Sequence, residues 1–290
     1  MSFQKQLASG EFVVLAEMDT PKGVDISDLI THARRIKGRV DAVVIPDMGD
    51  GMMRMSALGG GVLMHQQGME AIIHVCCRDR NRIAIQAELL SAHVLGIQNL
   101  IVARGEDMAY GDHFDAKTVN DIDELDLLGA IRSLQDGVDM AGIELKGSPS
   151  FTAGCTIEPY ADDEALASQL DLARKKVEAG ARFLISPPVF DLEVFSSFSD
   201  KAKDLGVPII PTVFLLKSVG IARYMATTLP AYRISEDLIQ RIRQAKNREM
   251  ECLRIAGETV AELKNLAQGV QIVTLGWEHE LPNILDFAGI

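Results

Sequence analysis

Eight short runs of apolar and β-branched residues recur along the chain, and longer stretches of helical period separate them. This alternation is the pattern of parallel strands joined by crossover helices. The runs are almost continuously apolar, as in strands covered on both faces, and the length of 290 residues suits one closed eight-stranded barrel. The predicted strands lie at 12–17, 41–46, 70–76, 99–103, 151–155, 182–187, 208–213 and 270–275. We therefore predict an α/β protein that forms a single (β/α)8 TIM barrel over residues 1–290.

Apolar periodicity also predicts how the helices are oriented. Two helices each carry an apolar stripe that we expect to face the sheet. The stripes consist of Ile83, Ala87, Leu90 and Val94 in one helix and of Leu166, Leu170, Ala173 and Val177 in the other. The longest predicted helix begins after Ser235, a suitable N-cap followed by two acidic residues, and continues to about Leu263.

Charge and composition restrict the class of function. The formal net charge of -12 opposes binding to nucleic-acid phosphates or anionic lipids. No apolar run reaches the roughly 20 residues of a membrane span, and the N-terminal sequence lacks the layout of a signal peptide. The four cysteines show no CxxC spacing, and the histidines show no metal-binding spacing. We expect a cytoplasmic enzyme that acts on a small molecule and binds no metal, nucleic acid or membrane.

Glu17 is the first catalytic candidate because it ends the first predicted strand. The active site of a TIM barrel is built at the C-terminal ends of its strands. After the apolar run FVVLA a carboxyl group loses hydration, so its proton is harder to remove, as a general acid requires. The alternative is a carboxylate neutralised by a neighbouring lysine or arginine inside the barrel.

Two further strands end in candidate ligand contacts. His74 lies among apolar residues of the third strand, where it is either a hydrogen-bonded core histidine or a donor to a bound ring. Arg104, Gly105 and Glu106 directly follow the fourth strand and begin a polar stretch without helical period. Glycine lets a ligand approach the backbone closely, although the same three residues also suit a turn with a surface ion pair.

Lys175 and Lys176 stand near the end of the helix that precedes the sixth strand. Cations there complement the negative end of the helix dipole, which is the simpler interpretation. The functional alternative is that the two lysines bind a diphosphate.

In chain order, six segments resemble the methylenetetrahydrofolate reductase family. The similarity covers nearly the whole chain, and its specificity comes from the order of the segments. They are FVVLAEMDTP, GMEAIIHVCC, NLIVARGED, LARKKVEAGARFLISPPVFD, VPIIPTVFLLKS and GVQIVTLGWEHELPNIL.

The resemblance implies a barrel with a non-covalent flavin, usually FAD with FMN as the alternative, across its C-terminal face. Glu17 matches the family's catalytic acid, which protonates methylenetetrahydrofolate so that its five-membered ring opens. His74 and the Ala103–Arg104–Gly105 segment match flavin contacts, and Lys175 and Lys176 match a pair that binds the phosphate end. NAD(P)H would reduce the flavin, and hydride would then pass to the folate substrate.

This sequence departs from the family pattern at three positions. Glu106 replaces an aspartate near the flavin and pterin, Pro187 replaces a glutamine that hydrogen-bonds the pterin, and Pro46 replaces a threonine that meets the flavin. Asp47 or Ser186 could restore a polar contact beside the two prolines.

We therefore predict flavin-dependent reduction of 5,10-methylenetetrahydrofolate to 5-methyltetrahydrofolate, with Glu17 and Glu106 as catalytic residues and a homo-oligomeric assembly. One alternative is a pterin-binding barrel that passes methyl groups to a corrinoid or other partner protein. The other is a degenerate, reductase-like subunit of a larger redox complex that receives its electrons from a partner.

Overall fold

The computed structural model describes residues 2–158 and 163–290 and contains a closed barrel of eight parallel strands, paired in chain order from β1 to β8. Each strand forms within two residues of its predicted position, so the TIM-barrel prediction is confirmed. The strands are β1 Val13–Glu17, β2 Ala42–Ile45, β3 Ala71–Cys76, β4 Asn99–Ala103, β5 Thr152–Thr156, β6 Phe183–Pro188, β7 Ile209–Phe214 and β8 Gly269–Val273.

Helices surround the barrel, and one further helix closes its N-terminal end. They are α1 Phe3–Ser9, α2 Ser27–Ile36, α3 Ala57–Gln66, α4 Arg82–Val94, α5 Glu124–Gln135, α6 Asp163–Ala179, α7 Leu192–Ala202, α8 Val219–Thr228, α9 Glu236–Gln244, α10 Arg248–Leu263 and α11 Leu281–Ala288. Helix α1 precedes the barrel and inserts Phe3, which is fully buried and meets the edge of the Phe183 ring at a centroid distance of 5.3 Å. Within the described ranges, no helix is long and apolar enough to span a membrane.

Side chains of each strand alternate between the barrel interior and the layer beneath the helices. Val14 and Ala16 of β1, for example, pack in the outer layer, whereas Val13 and Leu15 pack in the interior. We call the interior group the barrel plug, which consists of Phe3, Val13, Leu15, Ala42, Val44, Ile72, Ile101, Phe183, Ile185 and Ile210. The plug fills the lower part of the barrel, so a ligand has room only above it, at the C-terminal end.

The predicted long helix from Ser235 to Leu263 is wrong, because the structure contains two helices there. Ser235 does cap α9, accepting a hydrogen bond from the Leu238 amide. Ala245 then adopts an extended conformation, and the Asn247 side chain caps α10 by accepting from the Met250 amide. Asparagine is one of the preferred N-cap residues, so a new helix begins after Asn247, although the apolar periodicity alone predicted one continuous helix.

The predicted orientation of α4 is also wrong. Ile83 and Val94 of the predicted stripe are 73% and 83% exposed. The residues that α4 buries are Ile85, Leu89 and Ala92. The helix carries apolar residues on two faces, so its apolar periodicity is compatible with either face packing on the barrel. The tertiary packing determines which face is buried. The α6 stripe is confirmed, since Leu166, Leu170 and Ala173 are buried and Val177 packs against them.

Gly154 offers a direct test of packing in the barrel interior. A methyl group built on Gly154 overlaps the Phe183 ring of the plug, whereas one built on Gly129 in α5 meets nothing within 4 Å. We expect Gly154→Ala to lower the free energy of unfolding by about 1–3 kcal/mol through overpacking. Gly129→Ala, the matched control, should raise it by roughly 0.5–1 kcal/mol because alanine favours the helix. Urea denaturation measures both changes, and a neutral Gly154→Ala would contradict this packing.

Candidate functional site

The strand alternation places three polar side chains inside the barrel, directly above the plug. Glu17 continues the inward series of Val13 and Leu15 along β1. His74 follows the inward-facing Ile72 along β3, and Gln271 lies between the outward-facing residues of β8. The interior is therefore apolar below and polar at the C-terminal mouth, where TIM-barrel enzymes have their active sites.

Glu17 and Gln271 form a hydrogen bond across the seam that closes the barrel. Gln271 Nε2 donates to Glu17 Oε2 at 2.8 Å, and the register pairs Leu15 with Gln271 in adjacent strands. A neutral amide, that of Gln271, is therefore one hydrogen-bond partner of this carboxyl group. Gln271 was missed by sequence reasoning, although a lone polar residue within the apolar run VQIV was a signal.

His74 has an unsatisfied polar atom at the same level. Its Nε2 is buried and has no hydrogen-bond partner in the part of the chain that the structure describes. Burial lowers the pKa of His74 to about 4, so the imidazole is neutral at physiological pH. Gln271 Oε1 is likewise buried and unpartnered within the described ranges. Buried polar groups are usually paired, so a histidine nitrogen and an amide oxygen are both available to a ligand at the mouth.

The four residues at the end of β4 take different positions. Ala103 ends the strand, Arg104 is exposed, and Gly105 adopts the left-handed conformation with φ of +88°. Glu106 is 56% exposed, and its carboxylate lies 3.9 Å from the guanidinium of Arg78. The cation recorded beside Glu106 is therefore Arg78, and not the Arg104 of a simple turn.

Lys175 and Lys176 differ sharply in their surroundings. Lys175 is exposed, whereas Lys176 is only 4% exposed. Lys176 Nζ donates to Glu124 Oε1 at 3.2 Å and to the Thr156 carbonyl at 3.0 Å. Lys176 therefore points inward to the ends of β5 and α5, where it does not act merely as a charge at the end of its own helix.

Arg104 and Lys176 line a common cavity of about 310 Å³. The cavity lies beyond the C-terminal ends of β3 and β4, beside the first turn of α5, and Cys77 forms part of its wall. A second cavity of about 660 Å³ opens beside Met18, immediately after Glu17, and is bounded by the segments that follow β1 and β8. Cavities of this size hold small organic ligands.

Two arginines after β3, Arg78 and Arg80, are site residues that sequence reasoning missed. Arg80 forms an ion pair with the buried Asp47 and a second one with Glu88 at 2.6 Å. Arg78 is buried and bonds to the segments that follow β2 and β4. The charged run CRDR after an apolar strand was the available signal, but its partners lie far away in sequence.

The residues that could compensate for Pro46 and Pro187 each have a contact of their own. The Asp47 carboxylate is fully buried; Oδ2 pairs with Arg80, whereas Oδ1 has no hydrogen-bond partner within the described residues. The Ser186 hydroxyl donates to the Pro187 carbonyl at 3.0 Å. The departures at Pro46 and Pro187 therefore leave two apolar positions at the ends of β2 and β6.

The low pKa of His74 predicts a specific acid sensitivity. Between pH 6.5 and about 4 the unfolded histidine binds a proton that the folded one excludes, so stability is lost as pH falls through this window. The loss attributable to His74 is up to about 3 kcal/mol. We expect the free energy of unfolding of His74→Asn to depend less on pH in this window than that of the wild type. His113→Asn is the control because its side chain is 59% exposed, and it should keep the wild-type slope. Equal slopes for all three proteins would contradict the burial of His74.

Comparison with solved structures shows the same fold in proteins of very different sequence. EDTA monooxygenase (EmoA) from Chelativorans sp. BNC1 aligns with 96% of this chain and 94% of its own, with a TM-score of 0.57 and 8% identity. Tryptophan synthase from M. tuberculosis aligns with 99% of this chain and 94% of its own, with a TM-score of 0.50 and 13% identity. At such identities the likeness shows the fold alone.

Sequence comparison finds relatives with a common name. Methylenetetrahydrofolate reductase 2 of Schizosaccharomyces pombe is 24% identical over 79% of this chain and 37% of its own length. Methylenetetrahydrofolate reductase (NADH) 1 of Arabidopsis thaliana is 26% identical over 56% of this chain and 28% of its own. A probable methylenetetrahydrofolate reductase (NADPH) of Caenorhabditis elegans is 22% identical over 77% of this chain and 33% of its own. The chain thus spans about a third of the length of the curated relatives it matches.

The model of one protein family, described as methylenetetrahydrofolate reductase, matches residues 2–289. This match covers the whole barrel, including the strands that carry Glu17, His74 and Gln271 and the helix α6 that carries Lys176. The chain belongs to the methylenetetrahydrofolate reductase family.

Proposed function

We propose that this chain is a flavin-dependent enzyme that reduces 5,10-methylenetetrahydrofolate to 5-methyltetrahydrofolate. The observation that carries the proposal is the Glu17 carboxyl group at the barrel mouth, held by Gln271 above an apolar plug. A proton donor in this position is what the reduction requires besides a source of hydride. The relatives named for NADH and for NADPH support a pyridine nucleotide as the electron donor.

The residues around the mouth fit a flavin, with FAD favoured over FMN. The unpartnered His74 Nε2 and Gln271 Oε1 offer polar contacts to a heteroaromatic ring, each within the described part of the chain. Ala103 ends β4 and Gly105 follows two residues later; the first carries only a methyl group and the second no side chain, which allows a flat ring to approach the backbone.

The phosphate end of FAD would lie toward the cavity that Arg104 and Lys176 share. Glu124 already neutralises much of the charge of Lys176, so the exposed Arg104 is important for binding a diphosphate. Lys175, which is exposed on the same helix, remains the proposed second lysine.

When bound, the flavin supplies the hydride that reduces the one-carbon unit. Glu17 holds a proton on its carboxyl group and donates it to a nitrogen of the folate ring, which opens that ring to reduction. Gln271 fixes the rotation of the carboxyl group by donating to Oε2, and Leu15 of the plug lies one inward position below. Such preorganisation keeps the acid aligned without a reorganisation cost at the moment of reaction.

Glu106 stands at the rim of the same mouth with more than half of its side chain exposed. We assign it the role of pterin anchor or flavin tuner. Arg78 Nη1 donates to the Glu106 carbonyl at 2.9 Å and so holds the backbone there. From this fixed backbone, the extra methylene of glutamate carries the carboxylate farther than an aspartate would.

A second candidate function is a reductase-like subunit that receives electrons from a partner protein. The observation that favours it is the pair of apolar positions at Pro46 and Pro187, beside which Asp47 Oδ2 pairs with Arg80 and the Ser186 hydroxyl donates to the Pro187 carbonyl. Fewer polar groups are then left to recognise the pterin. Turnover of methylenetetrahydrofolate by the isolated chain with NADH or NADPH as sole reductant would exclude this candidate.

Glu17→Gln tests the proposed role directly. The amide has nearly the same shape but cannot donate the proton, so we expect folate reduction to fall by roughly 10²–10⁴-fold. Flavin binding and flavin reduction by NAD(P)H should be unchanged, as measured by absorbance in anaerobic stopped flow. Glu11→Gln, an exposed change just before the same strand at the opposite end of the barrel, is the matched control and should keep wild-type rates. Wild-type folate turnover in Glu17→Gln would reassign Glu17 to a structural role.

A further inference from the structure

Arg78, the second residue after β3, bonds to both neighbouring strand ends. Its side chain is only 3% exposed. Nη1 donates to the Glu106 carbonyl at 2.9 Å, after β4, and Nη2 donates to the Met48 carbonyl at 3.2 Å, after β2. Its own carbonyl accepts from the Val119 amide at 2.7 Å. Arg78 therefore contacts the long segment after β4 near both of its ends.

Asp79 stabilises the buried positive charge of Arg78. Its carboxylate accepts from Arg78 Nε and Nη2, both at 2.8 Å, in a bidentate pair. The hydrogen bonds that Arg78 donates to Asp79 raise the pKa of Arg78, so the guanidinium stays charged. The Asp79 carboxylate accepts from one edge of the Arg78 guanidinium, and the two carbonyls accept from its other side. Most N–H donors of the guanidinium are therefore used within the protein.

The backbone next to each Arg78 contact is in an uncommon conformation. Met48, which is not a glycine, has φ of +50°. Gly105 has φ of +88°, and a methyl group built on it would lie 2.9 Å from Arg78 Cβ. Left-handed conformations of non-glycine residues cost free energy and persist where surrounding contacts hold them. Arg78 supplies such contacts to both segments.

We propose that Arg78 is a positioning residue for the cofactor site, which fixes the backbone of Gly105 and Glu106 without touching the ligand. The inference rests on the proposed function, in which Ala103, Arg104 and Gly105 contact the flavin. Arg78 makes these bonds from three separate nitrogens in one plane, whereas the three donors of a lysine share one nitrogen and cannot form the bidentate pair with Asp79 while reaching both carbonyls. The β4 end is therefore rigid before the cofactor binds, which lowers the ordering cost of binding.

The test compares Arg78→Lys with Arg82→Lys. Arg82 begins α4, is half-exposed and also pairs with an aspartate, so it controls for the loss of a guanidinium from the same region. Hydrogen–deuterium exchange across 104–119 measures the rigidity of the segment without any cofactor. Titration with FAD and the visible circular dichroism of the bound flavin measure how the substitution affects the cofactor site.

We expect Arg78→Lys to speed amide exchange in this segment and to weaken FAD binding, each by about tenfold, the size of one lost charged hydrogen bond. The visible dichroism of the bound flavin should change, while far-ultraviolet dichroism stays that of the wild type. Arg82→Lys should match the wild type in every readout.

A folded Arg78→Lys protein with wild-type exchange, FAD affinity and visible dichroism would overturn the proposal while leaving the proposed function intact. A wild-type protein that binds no flavin would instead defeat the proposed function, and with it the cofactor role of Arg78. If Arg78→Lys does not fold, Asp79→Asn provides the second test, because it keeps the arginine and removes the carboxylate that orients it. Wild-type exchange and FAD affinity in folded Asp79→Asn would also overturn the proposal.

Discussion

Closure of the barrel between β1 and β8 is the constraint on which the site depends. It brings Glu17 within a hydrogen bond of Gln271, a residue 254 positions away in the chain. Neither side chain could be held there by local structure, since each ends or interrupts an apolar strand. Because parallel strands all point the same way, the same closure places His74 and the end of β4 at the same mouth.

The division between plug and mouth has an electrostatic consequence. Below Glu17 the interior holds the aliphatic side chains and two phenylalanines of the plug, which pack against one another. Above it, two of the polar groups are neutral, because His74 is uncharged and Gln271 is an amide. The cations Arg104 and Lys176 stand to one side, around their own cavity. A ligand with a neutral ring and an anionic tail matches this arrangement.

Sequence patterns predicted the strands well because a strand buried on both faces must be apolar along its length. They also directed attention to Glu17, His74 and Arg104, since the barrel geometry makes the strands' C-terminal ends the places to search, and the structure places Glu17 and His74 inside the barrel. They failed for α4, where two apolar faces share one period, and for α9 and α10, where one asparagine cap divides a periodic stretch. They could not find Gln271, Arg78 or Arg80, because the importance of these residues lies in contacts between segments distant in sequence.

Equilibrium titration of the purified chain with FAD and FMN, followed by visible absorbance, measures whether the barrel mouth binds a flavin. We expect saturable binding of one flavin per chain with a perturbed flavin spectrum, because unpartnered polar groups lie at the mouth and two cations line a cavity beside it. A correctly folded protein that leaves the spectra of both flavins unchanged at every concentration would contradict it.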